Sequence, residues 1–288
     1  MILSLIKSAV FGIVEGLTEF LPISSTGHLI LLDAVMKLSD NTAFTNIFEV
    51  AIQSGAILAV ILIYFKKLWP INKGFRFDKE KLNLWLYIII AFIPAIFFGF
   101  LFKDFISEKL FNPITVSITL IFYGVVLIVI EKILITKGNL GGKIGSGSAS
   151  ENASETAEKQ NIMSNLSLKK ALLIGLFQVL AMIPGTSRSA ATIIGGLLVG
   201  LSRENAAEFS FFLAIPTIVG AGVFSIFDAK IVFTNEMIYT LIVGFLFSFI
   251  VALVVIKAFI RFIQKHNFNI FGWYRIALGI IVIALLVF

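Results

Sequence analysis

The sequence predicts an all-α integral membrane protein, an inverted-topology repeat in which each half is one re-entrant helix hairpin plus three transmembrane helices. Composition, the lengths of the apolar stretches and a likeness between the two halves lead there. Of 288 residues, 58% are hydrophobic and 14% are charged, with a mean hydropathy of +1.00. That is too little charge to cover the surface of a soluble domain, and thirty phenylalanines suit a surface facing lipid. There is no cysteine, which excludes disulfides and thiolate metal sites. The net charge of +6 does not point to nucleic acid. The basic residues lie between apolar runs, where they set topology and touch anionic lipid. The first 22 residues carry Glu15 and Glu19 and lack a small-x-small cleavage site, so they are expected to be mature protein and not a signal peptide.

Six stretches are long enough to cross a bilayer, which takes roughly 20 apolar residues. They are 45–65, 84–102, 114–131, 207–227, 238–257 and 271–288. Four others, 4–21, 26–37, 168–183 and 188–200, are shorter or interrupted, and form two pairs. Each pair is broken by a turn rich in Pro, Ser and Thr, at residues 21–28 and 183–189. Broken helices at membrane depth are tolerated where the freed backbone is buried or lines a cavity, so the pairs are expected to be re-entrant hairpins. Four ordinary tilted spans are the alternative.

The halves are alike in detail. Gly12, Glu15, Leu17, Pro22, Ser24 and Ser25 run parallel to Gly175, Gln178, Leu180, Pro184, Thr186 and Ser187, with a one-residue gap before the proline. Residues Phe48 to Ala56 match Phe209 to Thr217. The predicted units are a first repeat, 1–136, a flexible cytoplasmic linker, 137–165, and a second repeat, 166–288. The linker is glycine- and serine-rich and then acidic. A hairpin returns to its own side and three spans cross an odd number of times, so the second repeat is expected to be inverted. Sixteen Lys and Arg residues between spans then fall on one side and four on the other. The richer side should be cytoplasmic, with both termini outside, in the plasma membrane.

The chemistry lies in the two turns. Glu15 and Glu19, four apart, share one helix face. Carboxylates in an apolar segment are expensive, and two on one face would share a proton or bind a cation. Oxygen ligands suit Mg²⁺ or Ca²⁺. Solvation near the interface is the other reading of the pair. Ser24, Ser25, Thr26 and His28 follow Pro22 and supply a nucleophile and a base, or helix caps. Gly27 is expected to allow a tight turn. Arg188, between Ser187 and Ser189, needs an anion: its fork suits phosphate, and an ion pair with Glu15 or Glu19 is the alternative. The helices starting near Thr26 and Thr186 add free N–H groups that favour an anion.

Residues 15–28, Glu-Gly-Leu-Thr-Glu-Phe-Leu-Pro-Ile-Ser-Ser-Thr-Gly-His, and residues 184–189, Pro-Gly-Thr-Ser-Arg-Ser, resemble the two signatures of the undecaprenyl-diphosphate phosphatase family, also called the bacitracin-resistance family. The resemblance continues through Phe48-Glu49, Ile52-Gln53, Gly55-Ala56, Phe209 to Phe211, Pro216 and Tyr274-Arg275, and covers the chain outside 137–165. Ser54 departs from it, where the family more often has an apolar residue. The resemblance implies hydrolysis of the terminal phosphate of a polyprenyl diphosphate, giving the monophosphate lipid carrier. That activity would support carrier recycling for the cell envelope and bacitracin resistance. It also implies a divalent cation and a site facing outward. Glu19, Ser25, His28 and Arg188 would then be catalytic, with Ser25 the preferred nucleophile and Glu19 or His28 its base. Ser24, Thr26, Thr186, Ser187, Ser189 and Arg188 would bind substrate, and Glu15 and Glu19 would hold Mg or Ca. The expected partners are the lipid substrate and membrane lipids, with a homodimer as a further candidate and no nucleic acid. His28 or a metal-bound water as attacker stays open. A transporter of a lipid phosphate or small anion, or an inactive structural protein, is the reading from another class.

Overall fold

Where no water can satisfy backbone N–H and C=O groups, a run of aliphatic and phenylalanine residues must bond within itself, and the helix does so segment by segment. The computed structural model describes residues 1–71, 76–136, 165–228 and 231–286. Among them the chain is helical throughout, with no strand beyond an isolated bridge between Ile71 and Phe77. The predicted stretches all become helices: α1 Ile2–Thr18, α2 Ser25–Val35, α3 Thr42–Ile63, the one-turn α4 Phe65–Leu68, α5 Lys79–Phe105, α6 Pro113–Thr136, α7 Leu168–Leu180, α8 Arg188–Leu198, α9 Arg203–Asp228, α10 Asn235–Lys265 and α11 Asn269–Leu286. A π-helical turn, Ile106–Leu110, follows α5. The proposed linker lies, Asn165 apart, outside the described residues.

Five of the six expected spans, α3, α5, α6, α9 and α10, are long and apolar enough to cross a membrane. Helix α11 falls just short of that length among the described residues. Helices α3 and α10 start a few residues before the expected stretches, because Asn41 and Thr234 cap them from more polar flanks. Apolar side chains such as Phe97, Ile118, Phe122, Ile250 and Val254 are exposed. Their number suits a bilayer as the surrounding medium.

The helices interleave the two halves. Helix α1 lies along α10, and α7 lies along α5; α3 packs on both α10 and α9, α6 on α11, and α8 on α9. Glycine permits the closest approaches. A Cβ on Gly12 would strike the Gly244 carbonyl, and one on Gly175 would strike the Ala91 carbonyl. Small residues let helix backbones meet where lipid supplies no hydrophobic drive. Replacing Gly175 by Val is therefore expected to overpack the α5–α7 contact by about 1–3 kcal/mol. The check is the melting temperature of the detergent-solubilised protein, and melting like the parent's would mean these helices are not held so closely.

Ion pairs gather at the two ends of the bundle. At one end Lys67 meets Glu208, Arg203 meets the fully buried Glu131, and Gln264 donates to Glu204. At the other, the N-terminal amine meets Glu236 at 2.8 Å and Lys7 donates to the Lys37 carbonyl. The last contact joins α1 to the segment just after α2. The turns after α1 and α7 are left facing each other inside the bundle.

Candidate active site

Each turn ends in a serine with positive φ, Ser24 at 73° and Ser187 at 71°. Such a conformation is uncommon for a residue with a Cβ and costs on the order of 1–3 kcal/mol. Both serines offset it by capping the following helix: Ser24 Oγ accepts from Gly27 N, and Ser187 Oγ accepts from Ala190 N, each at 3.3 Å. The tight-turn conformation expected at Gly27 thus belongs to Ser24. Gly27 lies inside α2, where a Cβ would come within 3.2 Å of Leu120. In the second turn Gly185, with φ 88°, packs against the backbone of Val116.

Charged and hydroxyl groups join the turns. Arg188 Nη2 donates to Glu19 Oε1 at 2.9 Å, and Ser25 Oγ donates to Glu19 Oε2 at 2.8 Å. The guanidinium is anchored from behind by the Ser210 carbonyl, 2.7 Å from Nη1, and Thr192 Oγ1 bonds Ser210 Oγ at 2.7 Å. Ser189 Oγ donates to the Leu21 carbonyl at 2.8 Å. From α11 the fully buried Arg275 donates to the Pro22 carbonyl at 3.2 Å and to the Gly185 and Thr186 carbonyls at 2.9 Å each. Arg275 therefore ties the two turns together. Its neighbour Tyr274 donates to His28 Nε2 at 2.6 Å and stacks on the imidazole, while His28 Nδ1 donates to the Ser24 carbonyl at 2.7 Å. The carbonyl can only accept, which assigns the proton to Nδ1.

A cavity of about 230 Å³ lies between the turns, with Glu19, Ser24, Ser25, Thr26, Ser187 and Arg188 in its wall. The first turns of α2 and α8 begin there, and free N–H groups at helix N-termini beside a guanidinium suit an anion. Arg188 Nε is buried without an acceptor. Beside the cavity, Glu15 is fully buried, and neither of its oxygens meets a donor. Glu19, Glu49 and Arg188 are its charged neighbours. A carboxylate so placed fits a hard cation. Among the described residues no three His, Asp or Glu side chains gather into a cage, so any cation would need other oxygens as well.

The family model "Bacitracin resistance protein BacA" matches residues 8–281. The chain belongs to the BacA family. Relatives similar to this BacA-family chain include "Undecaprenyl-diphosphatase 1" of Oenococcus oeni, 46% identical with 99% of this chain and 98% of that one covered. "Undecaprenyl-diphosphatase" of Lachnoclostridium phytofermentans is also 46% identical, with 97% and 96% covered. "Undecaprenyl-diphosphatase" of Enterococcus faecalis is 43% identical, with 98% and 96% covered. Several apolar helices and this membership make the chain a multi-pass membrane protein.

In this BacA-family chain the expected residues converge, with differences in what each touches. Glu19, Ser25 and Arg188 form one hydrogen-bonded set at the cavity. Of the two partners foreseen for Arg188, Glu19 makes the ion pair, at 2.9 Å. Ser24 and Ser187 line the cavity and also act as helix caps, a role foreseen for Ser24 and not for Ser187. Thr26 lines it too. Thr186 and Ser189 are buried beside it. Ser189 serves to hold the first turn. Gln178, the counterpart of Glu15, is buried and accepts from Thr217 at 3.3 Å. The Ser54 hydroxyl, the departure from the family pattern, is satisfied by the Val50 carbonyl at 2.8 Å. Reading the residues alone missed Arg275, Tyr274 and Ser210. An arginine inside the apolar run 271–288 was the signal for the first, since ionisable residues within a span are seldom idle. A lone hydroxyl such as Ser210 carries no comparable signal.

Proposed function

We propose that this chain hydrolyses the terminal phosphate of undecaprenyl diphosphate, releasing inorganic phosphate and the monophosphate lipid carrier, and so supports envelope synthesis and bacitracin resistance. One observation carries the reading: the Ser25–Glu19–Arg188 set stands in a polar cavity that opens onto an apolar groove between helices. A polar head on an apolar tail is the ligand with that profile. Relatives bearing the name undecaprenyl-diphosphatase support the same reaction.

Phosphoryl transfer asks mainly for positioning and charge neutralisation. Arg188 and the N-termini of α2 and α8 hold the diphosphate. Ser25 Oγ attacks the terminal phosphorus while its proton passes to Glu19 Oε2, 2.8 Å away. The bond from phosphorus to the bridging oxygen breaks, and the polyprenyl phosphate leaves. As Glu19 takes the proton its hold on Arg188 weakens, which frees the guanidinium to follow the charge onto the phosphate. Water then attacks the phosphoserine, the serine oxygen regains a proton, and inorganic phosphate leaves. Both ring nitrogens of His28 are already engaged, which favours Glu19 as the base and gives His28 a positioning role. Glu15, with Glu19, would hold the divalent cation, which supplies positive charge against the phosphates when bound.

The re-entrant and inverted arrangement belongs to the same proposal. The matching serine caps, the paired α1–α10 and α7–α5 contacts and the sixteen-to-four charge bias support it. On that topology the termini and the site face the outer side.

The test is phosphate release from undecaprenyl diphosphate by purified protein in detergent, where no barrier separates two sides. Release is expected; a pure transporter or an inactive protein would release none. Stripping divalent cations with a chelator should lower the rate, and Mg²⁺ or Ca²⁺ should restore it. A rate indifferent to the chelator would remove the cation from the scheme.

A further inference from the structure

Gln178 stands on α7 where the first repeat has Glu15. It lies in the wall of the cavity that holds Ser25 and Arg188, and is only 3% exposed. Its Oε1 meets the Thr217 hydroxyl at 3.3 Å. That hydroxyl has one proton and a closer acceptor, the Leu213 carbonyl at 2.7 Å, so it holds the amide weakly. Gln178 Nε2 is buried with no acceptor among the described residues. A polar side chain in an apolar helix is expensive, and a buried donor left unmade adds to the cost. Gln53 lines the same cavity but is part-exposed, so water can satisfy its amide. With Arg188 Nε, Gln178 is therefore a donor in this wall that lacks what an anion would supply.

Its place tells which part of the ligand it meets. Glu19, Ser25 and Arg188 line the cavity alone, whereas Met182 and Thr217 also line the apolar groove that opens from it. Gln178 touches Thr217 and stands four residues before Met182, so it sits where cavity and groove join. A diphosphate with its terminal phosphorus at Ser25 and its tail leaving through the groove brings its second phosphate to that junction.

We infer that Gln178 donates to the lipid-side phosphate of the substrate and makes the site selective for a diphosphate over a lone phosphate. The inference rests on the phosphatase reading above. When the bond from the terminal phosphorus to the bridging oxygen breaks, the electron pair stays on that oxygen. The lipid-side phosphate thereby gains negative charge, and an N–H aimed at it stabilises the charge as it develops. The amide is neutral, so it holds the departing monophosphate less tightly than a second guanidinium would. A carboxylate like that of Glu15 could not serve here, because when ionised it only accepts. The two repeats thus place opposite partners at one position: an acceptor suited to a cation in the first, and a donor suited to a phosphate in the second.

The experiment separates one phosphate from two. Dissociation constants for inorganic phosphate and for methylenediphosphonate, whose bridge cannot be hydrolysed, are measured on the parent in detergent and on Gln178→Met, which keeps the length of the side chain. The variant should bind methylenediphosphonate on the order of tenfold more weakly, the loss of one hydrogen bond to a charged group, and bind phosphate as the parent does. Its kcat for undecaprenyl diphosphate should fall on the order of 10²-fold, as when one donor to developing charge is removed. Without ligand it should melt at or above the parent's temperature, since a buried amide short of partners has gone. Equal weakening for both ligands, or weakening for neither, overturns the assignment. If Gln178→Met fails to fold, a structure of the parent with methylenediphosphonate decides: Nε2 within hydrogen-bond distance of the phosphonate farther from Ser25 supports the inference, and any other placement overturns it. A parent that shows the two-phosphate difference but releases no phosphate from undecaprenyl diphosphate loses the reaction and keeps the site. One that releases phosphate without that difference keeps the reaction and loses the role of Gln178.

Discussion

Replacing Ser25 by Ala is expected to abolish release of inorganic phosphate while leaving the fold and the melting temperature close to the parent's. Ser25 Oγ makes one side-chain bond, to Glu19, and is not the helix cap, a role that belongs to Ser24. Its removal takes away a nucleophile and little else. Groups that act as a unit in covalent catalysis commonly lose on the order of 10⁴-fold or more when one is deleted. Glu19→Gln should lose less, on the order of 10²–10⁴-fold, because it removes the proton acceptor and keeps the shape. The two assays belong together. Substantial turnover by Ser25→Ala would move the attack to His28 or to water. A phosphoserine trapped at low pH in the parent and missing from the variant would hold it at Ser25.

The second large effect concerns Arg275. Substitution by Met should leave the carbonyls of Pro22, Gly185 and Thr186 buried without their donor. An unsatisfied buried group costs on the order of 1–3 kcal/mol, so the sum is at least about 3 kcal/mol. It should appear as a large drop in melting temperature in detergent. Phosphate release should fall with it, since the same bonds hold the turn that carries Ser25 against the one that carries Arg188. Lysine should not rescue: a point charge cannot span carbonyls from two turns as a planar fork does. Parent-like melting and turnover in Arg275→Met would show that the turns are held by their own helix packing.

Much of this was legible in the residues. Apolar run length decides helix existence in a membrane, because an unsatisfied backbone leaves no other choice, and every predicted stretch became a helix. Glu15, Glu19 and Arg188 stood out because charge in an apolar segment demands a reason. The positive φ at Ser24 and Ser187 was not legible. A Pro-x-Ser turn is open to several conformations, and glycine was the natural guess. Nor could spacing choose between Glu15 and Glu19 as the partner of Arg188. One helical turn separates them, and only the packing of α8 on α9, with Ser210 behind the guanidinium, sets which carboxylate it reaches.

Glu19 and Arg188, both named from the sequence, meet in the structure, and what they touch came from the fold. By itself the sequence determined an all-helical chain, its apolar segments and a set of polar groups too costly to be idle. These are local matters of hydropathy and hydrogen-bond satisfaction. The tertiary structure decided that residues 169 positions apart, Glu19 and Arg188, share a bond and that Arg275 clamps both turns. Those outcomes depend on how closely backbones approach across helices, and no local pattern encodes that distance.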